Sequence, residues 1–374
     1  MSFSRFPVNP DLDGTALGQH FARQSADRRS FLRRAAGLGL ALPTLAATAS
    51  PSAMAQHEHE ATPPASENGD SYVGSNASTS DSTGDSTPAP EAPVEHTVYD
   101  PVLAPVEPGP KDFTVVAKDM TVFVANDTPY AGWTFDGTIP GRPLRVVEGD
   151  TVTMTVRNEG AITHSLDTHA AKTPPEENYR NLQSGEEFTW NFVATTPGAF
   201  MYHCGTPPVL LHIGAGMYGA MIVDPKEGWP PAQELVFVQS EFHFEDPDAP
   251  IMVPSMEKMM VAGGAFMDGV AFNGHLSQYV DNPIPVNVGE PIRIFVVNAG
   301  PNVWSSFHVV GAIFDRVCVN ANPRNELFGL QSVSIGPGDG ACAEFTLDEP
   351  GIYVAVNHSF GHAAHGAIAL LQAG

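Results

Sequence analysis

Residues 203–217 hold side chains of the kinds that bind soft metal ions. Cys204 lies eight residues before His212, and Met217 follows five residues later. A thiolate and an imidazole bind copper strongly, and a thioether can act as a weak axial ligand. This is the ligand set of a blue-copper electron-transfer site except for one further histidine. The spacing therefore predicts a copper site that a histidine elsewhere in the chain completes.

The histidine beside the thiol, His203, indicates a second metal site. Successive side chains on a β-strand point to opposite faces, so Cys204 and His203 can face two different ions. His164 and His169 lie five residues apart, and on a strand one of them would serve each ion. We predict that the first copper is bound by four residues, His164, Cys204, His212 and Met217.

The second predicted site consists of imidazoles alone. It begins with His169 and His203 and needs a third ligand, for which His358 in the second half of the chain is the best candidate. Three imidazoles with one open position suit copper or zinc that binds and converts a small ligand.

Short runs of β-branched residues, separated by Gly, Pro and Asp, dominate the chain from about residue 101 and predict a β-sandwich fold. The pattern also repeats. Gly149 and its neighbours match Gly289, and His164 lines up with His308, at an offset near 140 residues. A repeat of this length indicates domain duplication. The second copy has Asn357 where the first has Cys204, so it cannot build a thiolate copper site.

Over residues 110–374 the chain resembles the copper-containing nitrite reductases. Five motifs carry the resemblance: His164-x-x-Asp-x-His169, His203-Cys204, the Cys-x7-His-x4-Met loop, Ser306-Phe-His308-Val-Val-Gly and Val356-Asn-His358. The resemblance implies an all-β chain of two cupredoxin-like Greek-key β-sandwich domains, assembled as a homotrimer. It also implies two copper ions per subunit, with His358 reaching the type 2 copper of the neighbouring subunit.

The implied activity is dissimilatory nitrite reduction, in which nitrite, one electron and two protons give nitric oxide and water. The electron would enter at the type 1 copper, bound by the thiolate, and reach the type 2 copper through Cys204 and His203. Asp167 would donate a proton to the substrate, His308 would supply the second, and Val310 would lie over the bound nitrite. A small blue-copper protein or a c-type cytochrome would supply the electron.

Two other functions remain open. A two-domain, laccase-like multicopper oxidase would need His-x-His pairs for a three-copper cluster, and residues 101–374 contain none. A non-enzymatic electron-transfer cupredoxin would bind one copper and have no use for His169, His203 and His358. Four other histidines, His243, His275, His362 and His365, are interpreted as structural or surface residues.

The first 55 residues are predicted to be a twin-arginine signal peptide. Arg28 and Arg29 begin the motif, an apolar run follows, and Ala53-Met-Ala55 is a small-x-small cleavage site. The run is too short and too interrupted to span a membrane in the mature chain. We therefore expect export to the periplasm, the cell surface or the medium.

The remaining chain is divided by composition. Residues 56–100 form an acidic Ser/Thr/Pro-rich tail that we expect to be disordered, followed by a type 1 copper domain (101–232) and a second domain (233–374). The net charge of -24 excludes nucleic-acid binding and is typical of a halophilic protein. Cys318 and Cys342 are predicted to be either buried thiols or one disulfide.

Overall fold

The computed structural model describes residues 95–261 and 265–374. The predicted signal peptide and residues 56–94 of the predicted tail lie outside this part of the chain. Within it, no helix has both the length and the apolar character that a membrane span requires. The predicted all-β class is confirmed, since nineteen strands and five short helices make up the regular structure of these residues.

The first copy of the repeat is a sandwich of two four-stranded sheets, with strand orders β2-β1-β4-β6 and β3-β8-β7-β5. Alternating buried and exposed residues in β4 and β6 place one face of the first sheet on the core, as the period of a strand requires. The strands are β1 (Lys111–Ala125), β2 (Thr128–Phe135), β3 (Gly141–Val147), β4 (Thr151–Asn158), β5 (Asp167–Thr168), β6 (Glu187–Val193), β7 (Gly198–His203) and β8 (Tyr218–Asp224).

The second copy is also a sandwich, with a six-stranded sheet ordered β10-β9-β12-β17-β14-β15 and a five-stranded sheet ordered β11-β19-β18-β13-β16. Its strands are β9 (Gln233–Phe242), β10 (Gly269–Phe272), β11 (Ile284–Val286), β12 (Pro291–Gly300), β13 (Ser305–Val310), β14 (Phe314–Val319), β15 (Glu326–Leu330), β16 (Val333–Ile335), β17 (Gly340–Thr346), β18 (Gly351–Asn357) and β19 (Ile368–Ala373).

Five helices connect the strands, and each spans no more than two turns. They are α1 (Pro175–Asn178), α2 (Val209–Gly214), α3 (Met256–Met260), α4 (Gln278–Asp281) and α5 (Phe360–Ala364). Two of them, α2 and α5, follow β7 and β18 and so occupy the same place in the two copies. Ser255 caps α3, because its hydroxyl oxygen accepts a hydrogen bond from the Lys258 N–H.

A shared apolar core joins the two copies. Buried residues of β7 and β8, such as Met201 and Ile222, pack in one cluster with residues of β9 and β12, such as Val238 and Phe295. This arrangement packs one face of β7 and β8 against the second copy. Cys318 and Cys342 face each other across β14 and β17 within the same cluster, and both are buried free thiols.

Candidate metal centres

Three of the predicted type 1 ligands meet in the interior of the first copy. The Nδ1 atoms of His164 and His212 lie 3.2 Å apart, and the Cys204 sulfur lies 3.2 Å from His212 Nδ1 and 4.0 Å from His164 Nδ1. All three residues are buried. We call this group the thiol cluster; its three donor atoms converge within 4.8 Å of one another.

The three residues of the thiol cluster lie in three different segments of the first copy. His164 lies in the connection after β4, where a bridge to Leu182 fixes the backbone. Cys204 follows the last residue of β7, and His212 lies in α2. The loop closes because the Cys204 N–H donates to the Met217 carbonyl at 3.1 Å, which keeps buried Met217 at the same end of the sandwich.

The surroundings of Cys204 favour the thiolate. Burial opposes ionisation, but hydrogen bonds from His164 and His212 and the charge of His212 outweigh it and lower the pKa of the thiol to about 5. The Ser165 N–H also points at the sulfur, at 3.4 Å. A thiolate beside two imidazole nitrogens is a donor set that copper prefers.

Three supporting residues were missed by the sequence analysis. Besides its N–H, Ser165 places its hydroxyl group 3.8 Å from the Cys204 sulfur. The ring of Trp133 packs at 4.7 Å from that of His212, and the Asp119 carboxylate lies 3.9 Å from His164 Nε2. Only Ser165 carried a sequence signal, its position next to His164. Asp119 lies in β1 and Trp133 in β2, and both are distant in sequence from the histidines that they contact.

A second group, which we call the imidazole cluster, contains Asp167, His169 and His203. The Nε2 atoms of His169 and His203 lie 3.1 Å apart, and the two rings are nearly perpendicular, at 89°. An Asp167 oxygen lies 3.7 Å from His203 Nε2. His203 and Cys204 are adjacent in the chain, so one peptide bond joins the two clusters.

The hydrogen bonds of the imidazole cluster suit a metal ion. His169 Nδ1 lies 3.2 Å from the Gly338 carbonyl and His203 Nδ1 lies 3.0 Å from the Cys204 carbonyl, so each ring donates through Nδ1. Both Nε2 atoms then carry lone pairs that face each other and repel unless a cation lies between them. The pair of rings therefore fits a copper ion.

Residues 164–169 do not form the continuous strand that the spacing argument assumed. In the structure β5 contains only Asp167 and Thr168, which pair with β7, and His164 lies outside it. The two histidines reach different clusters from stretches of backbone with different partners, because His164 bridges to Leu182 whereas Asp167 and Thr168 pair with β7.

The other predicted site residues lie on the second copy. Among the described residues of this single chain, the imidazole cluster does not include His358. His358 is exposed just after β18, and its ring lies 5.4 Å from that of His308. His308 Nδ1 is bonded to the Gln331 carbonyl, and Val310 is 41% exposed at the end of β13.

The second copy contains a counterpart of the thiol cluster that lacks the thiol. Ser306 N–H donates to Asn357 Oδ1, and Asn357 Nδ2 lies 2.9 Å from His362 Nδ1. These contacts match those of Ser165, Cys204 and His212 in the first copy. The sequence alignment of His164 with His308 is therefore wrong, because this register places Ser305 opposite His164. The prediction that Asn357 replaces Cys204 agrees with the contacts.

Comparisons with known proteins agree with this geometry. Residues 117–228 match a family model described as multicopper oxidase. The copper-containing nitrite reductase of Neisseria meningitidis serogroup B is 38% identical over 263 residues, which cover 68% of this chain and 66% of that protein. The chain thus spans about two thirds of that relative's length.

Two solved structures are similar over most of the described residues. The copper nitrite reductase from Nitrosomonas europaea has a TM-score of 0.66 and 38% identity, and the match covers 71% of this chain and 94% of that one. The copper-containing nitrite reductase from Thermus scotoductus has a TM-score of 0.65 and 35% identity, with 71% and 62% of the chains covered. This chain therefore belongs to the family of copper-containing nitrite reductases.

Proposed function

We propose that this protein reduces nitrite to nitric oxide, using one copper ion in the thiol cluster and a second in the imidazole cluster. The observation that carries the proposal is the adjacency of His203 and Cys204, whose side chains belong to the two different clusters. A binding protein for one copper would have no use for the second cluster. An enzyme that takes an electron at one place and delivers it at another needs both.

The two clusters and the residues that join them have different roles in the proposed reaction. When bound, copper supplies one-electron redox chemistry and, at the imidazole cluster, a Lewis-acidic position for nitrite. The consecutive residues Cys204 and His203 provide a covalent path between the clusters. Each nitrite consumes one electron and two protons and yields nitric oxide and water. The chain must therefore deliver protons where nitrite binds.

Asp167 is the proposed first proton donor. Its carboxylate is partly exposed and borders His203 Nε2, so it can both reach solvent and contact a ligand held at the cluster. A carboxyl group in this position transfers a proton to a substrate oxygen. His308 is the proposed second donor. The bond of its Nδ1 to the Gln331 carbonyl directs the other nitrogen outward.

We propose that His358 completes the imidazole cluster of a neighbouring subunit in a homotrimer. His308 and His358 lie side by side, with ring centroids 5.4 Å apart. The Phe360 ring, 49% exposed, lies 4.6 Å from that of His358, and Val310, 41% exposed, lies two residues after His308 on β13. A second copy that covers these residues would bring its own imidazole cluster to His358.

A laccase-like oxidase is the main rival. It needs a cluster of three copper ions, whereas residues 95–261 and 265–374 contain only two groups of three or more converging ligands, one of them built on a thiol. Copper content and electron paramagnetic resonance separate the possibilities. We expect two copper ions per chain and two signals, from a thiolate copper and an all-nitrogen copper. One copper per chain would overturn the proposal in favour of an electron carrier, and four would favour an oxidase.

We further propose that the protein is exported by the twin-arginine route, and that a small blue-copper protein or a c-type cytochrome is its electron donor.

The net charge of -24 supports a salty environment, because added salt screens the repulsion among the acidic side chains. The expected result is that the thermal unfolding temperature rises between low and high salt. A lower unfolding temperature in high salt would contradict the proposed halophilic character.

A further inference from the structure

The His164 ring directs only one of its two nitrogen atoms into the thiol cluster. Its Nδ1 atom faces Cys204 and His212. Its Nε2 atom is buried and has no hydrogen-bond partner, although an Asp119 oxygen lies 3.9 Å away. Buried polar atoms in folded proteins nearly always have a partner, so an unpartnered one calls for an explanation. The Asp119 carboxylate is placed to be the partner of Nε2.

Two features hold the Asp119 carboxylate beside His164. Its second oxygen accepts a hydrogen bond from the Ala161 N–H at 2.8 Å. Gly160 lies against both partners, because an added Cβ there would be 3.0 Å from His164 Nε2 and 3.1 Å from the first Asp119 oxygen. The absence of a side chain at Gly160 therefore allows the carboxylate and the ring to approach each other.

Asp119 is directly opposite Trp133 in the pairing of β1 with β2. Side chains at opposite positions of two paired strands lie on the same face of the sheet. The Trp133 ring centroid lies 5.7 Å from that of His164 and 4.7 Å from that of His212. The two opposed side chains therefore cover both imidazoles of the thiol cluster, and one of the two has a negative charge.

This negative charge is not neutralised by a basic side chain. Among residues 95–261 and 265–374, no lysine or arginine forms an ion pair with Asp119. The neighbouring basic residues Lys118 and Arg157 pair with Glu159 instead. The Asp119 side chain is 39% exposed, so water and salt weaken its field at His164 without removing it.

We propose that Asp119 is a positioning residue for the copper of the thiol cluster, and that it lowers the reduction potential of this copper. A carboxylate that accepts a hydrogen bond from Nε2–H fixes the His164 tautomer whose Nδ1 lone pair faces the metal. The negative charge also favours the oxidised, more positive state of the ion. A lower potential makes the transfer of the electron toward His203 more favourable.

This inference rests on the proposed function only for the presence of a redox-active copper in the thiol cluster. The test uses the full-length, copper-loaded protein and follows the thiolate-to-copper absorption over a series of applied potentials. At low ionic strength, Asp119→Asn should raise the ratio of reduced to oxidised copper at a fixed potential at least about threefold. Asp119→Glu keeps the charge and should shift the ratio less.

Asp112→Asn, which removes an exposed carboxylate from the same strand, is the matched control and should leave the ratio unchanged. Equal ratios in wild type and Asp119→Asn would overturn the proposal. The same shift in Asp119→Glu as in Asp119→Asn would also overturn it, because the charge would then not be the cause.

Gly160→Ala tests the same contact without removing a charge, and it keeps the test available if Asp119→Asn fails to bind copper. The added methyl group presses on both the Asp119 oxygen and His164 Nε2, so we expect the potential to rise. Gly361→Ala, where nothing lies within 4 Å of the added group, is its control. A copper-containing Gly160→Ala with the wild-type potential would contradict the inference alone. A wild-type protein without any thiolate-to-copper absorption would overturn the proposed function as well.

Discussion

Asp167 and His308 occupy equivalent positions in the two copies of the fold. Asp167 pairs with His203 across β5 and β7, and His308 pairs with Val356 across β13 and β18. The residue that follows His203 in the chain is Cys204, and the residue that follows Val356 is Asn357. The two proposed proton donors therefore come from one ancestral position, and a trimer interface would bring the two versions of that position to the same substrate.

Replacing Asp167 tests the first proton donor. Asp167→Asn keeps the size of the side chain and removes the acidic proton, so we expect both copper ions to remain and turnover to fall at least about a hundredfold. Steady-state nitrite consumption and copper analysis are the measurements. Asp112→Asn, on an exposed position of β1, is the control. Near-normal turnover by Asp167→Asn would remove this carboxylate from the mechanism.

Replacing Cys204 separates the two copper sites. Cys204→Ser substitutes a hard oxygen for the soft thiolate, so we expect loss of the thiolate-to-copper absorption and a fall from about two copper ions per chain to about one. Cys342→Ala removes another buried thiol of the same chain and should leave the absorption unchanged. Retention of the thiolate signal in Cys204→Ser would show that this cysteine is not a ligand.

Mixing two inactive variants tests whether a site is shared between subunits. If the proposed homotrimer shares its sites, His169→Ala and His358→Ala should each inactivate every site of their own trimers. In trimers assembled at random from equal amounts of both, a quarter of the interfaces would have both wild-type histidines, so we expect about a quarter of wild-type activity. The separately assembled variants, mixed without exchange, are the control. No recovery after subunit exchange would place both histidines in one chain.

The Gly338 carbonyl accepts a hydrogen bond from His169 Nδ1, and an added side chain at this position would press on the His169 ring. Gly338 has a φ of +84°, and an added Cβ would lie 3.3 Å from His169 Cε1. We expect Gly338→Ala to shift the ring and weaken metal binding at the imidazole cluster about tenfold or more. Gly228→Ala is the matched control, because φ is +75° there and nothing lies within 4 Å. Metal titration should distinguish the two variants although both suffer similar backbone strain. Equal metal affinity in both would contradict the role given to Gly338.

Buried Glu241 makes stability depend on pH. Burial raises its pKa to about 7 despite hydrogen bonds from Val303 and Asn302. The folded protein thus holds the proton more tightly than the unfolded chain, and the stabilisation from this group is lost as pH rises through about 7. The Gln side chain of Glu241→Gln does not titrate, so the variant does not lose this stabilisation. We expect the difference in free energy of unfolding, variant minus wild type, to be larger at pH 8 than at pH 5 by up to about 3 kcal/mol.

Urea unfolding of the copper-free proteins at the two pH values measures this difference. Glu257→Gln, on an exposed position of α3, is the control and should follow the wild type at both values. The same relative stability of Glu241→Gln at pH 5 and pH 8 would show that Glu241 does not titrate in this range.

Much of the site could be predicted because its ligands are chemically distinctive. Cys204 and the histidines around it are rare residue types at spacings that few structures other than a metal loop require. The supporting contacts could not be predicted, since Asp119, Trp133 and the Gly338 carbonyl reach the clusters only through the packing of distant strands.

The error in aligning His164 with His308 has a similar origin. The second copy has Ser305 at the position of His164, and its histidine, His308, lies three residues further on, so matching residue types misled the alignment. The hydrogen bonds of Ser165 and Ser306 and the strand pairs of Asp167 and His308 reveal the register.

The most direct test of the central claim is anaerobic turnover of ¹⁵N-labelled nitrite by protein with a measured copper content, using an artificial one-electron reductant. We predict one labelled nitric oxide per nitrite consumed, at a rate proportional to the fraction of chains that contain both copper ions. Protein with two copper ions per chain that releases no labelled nitric oxide would contradict it.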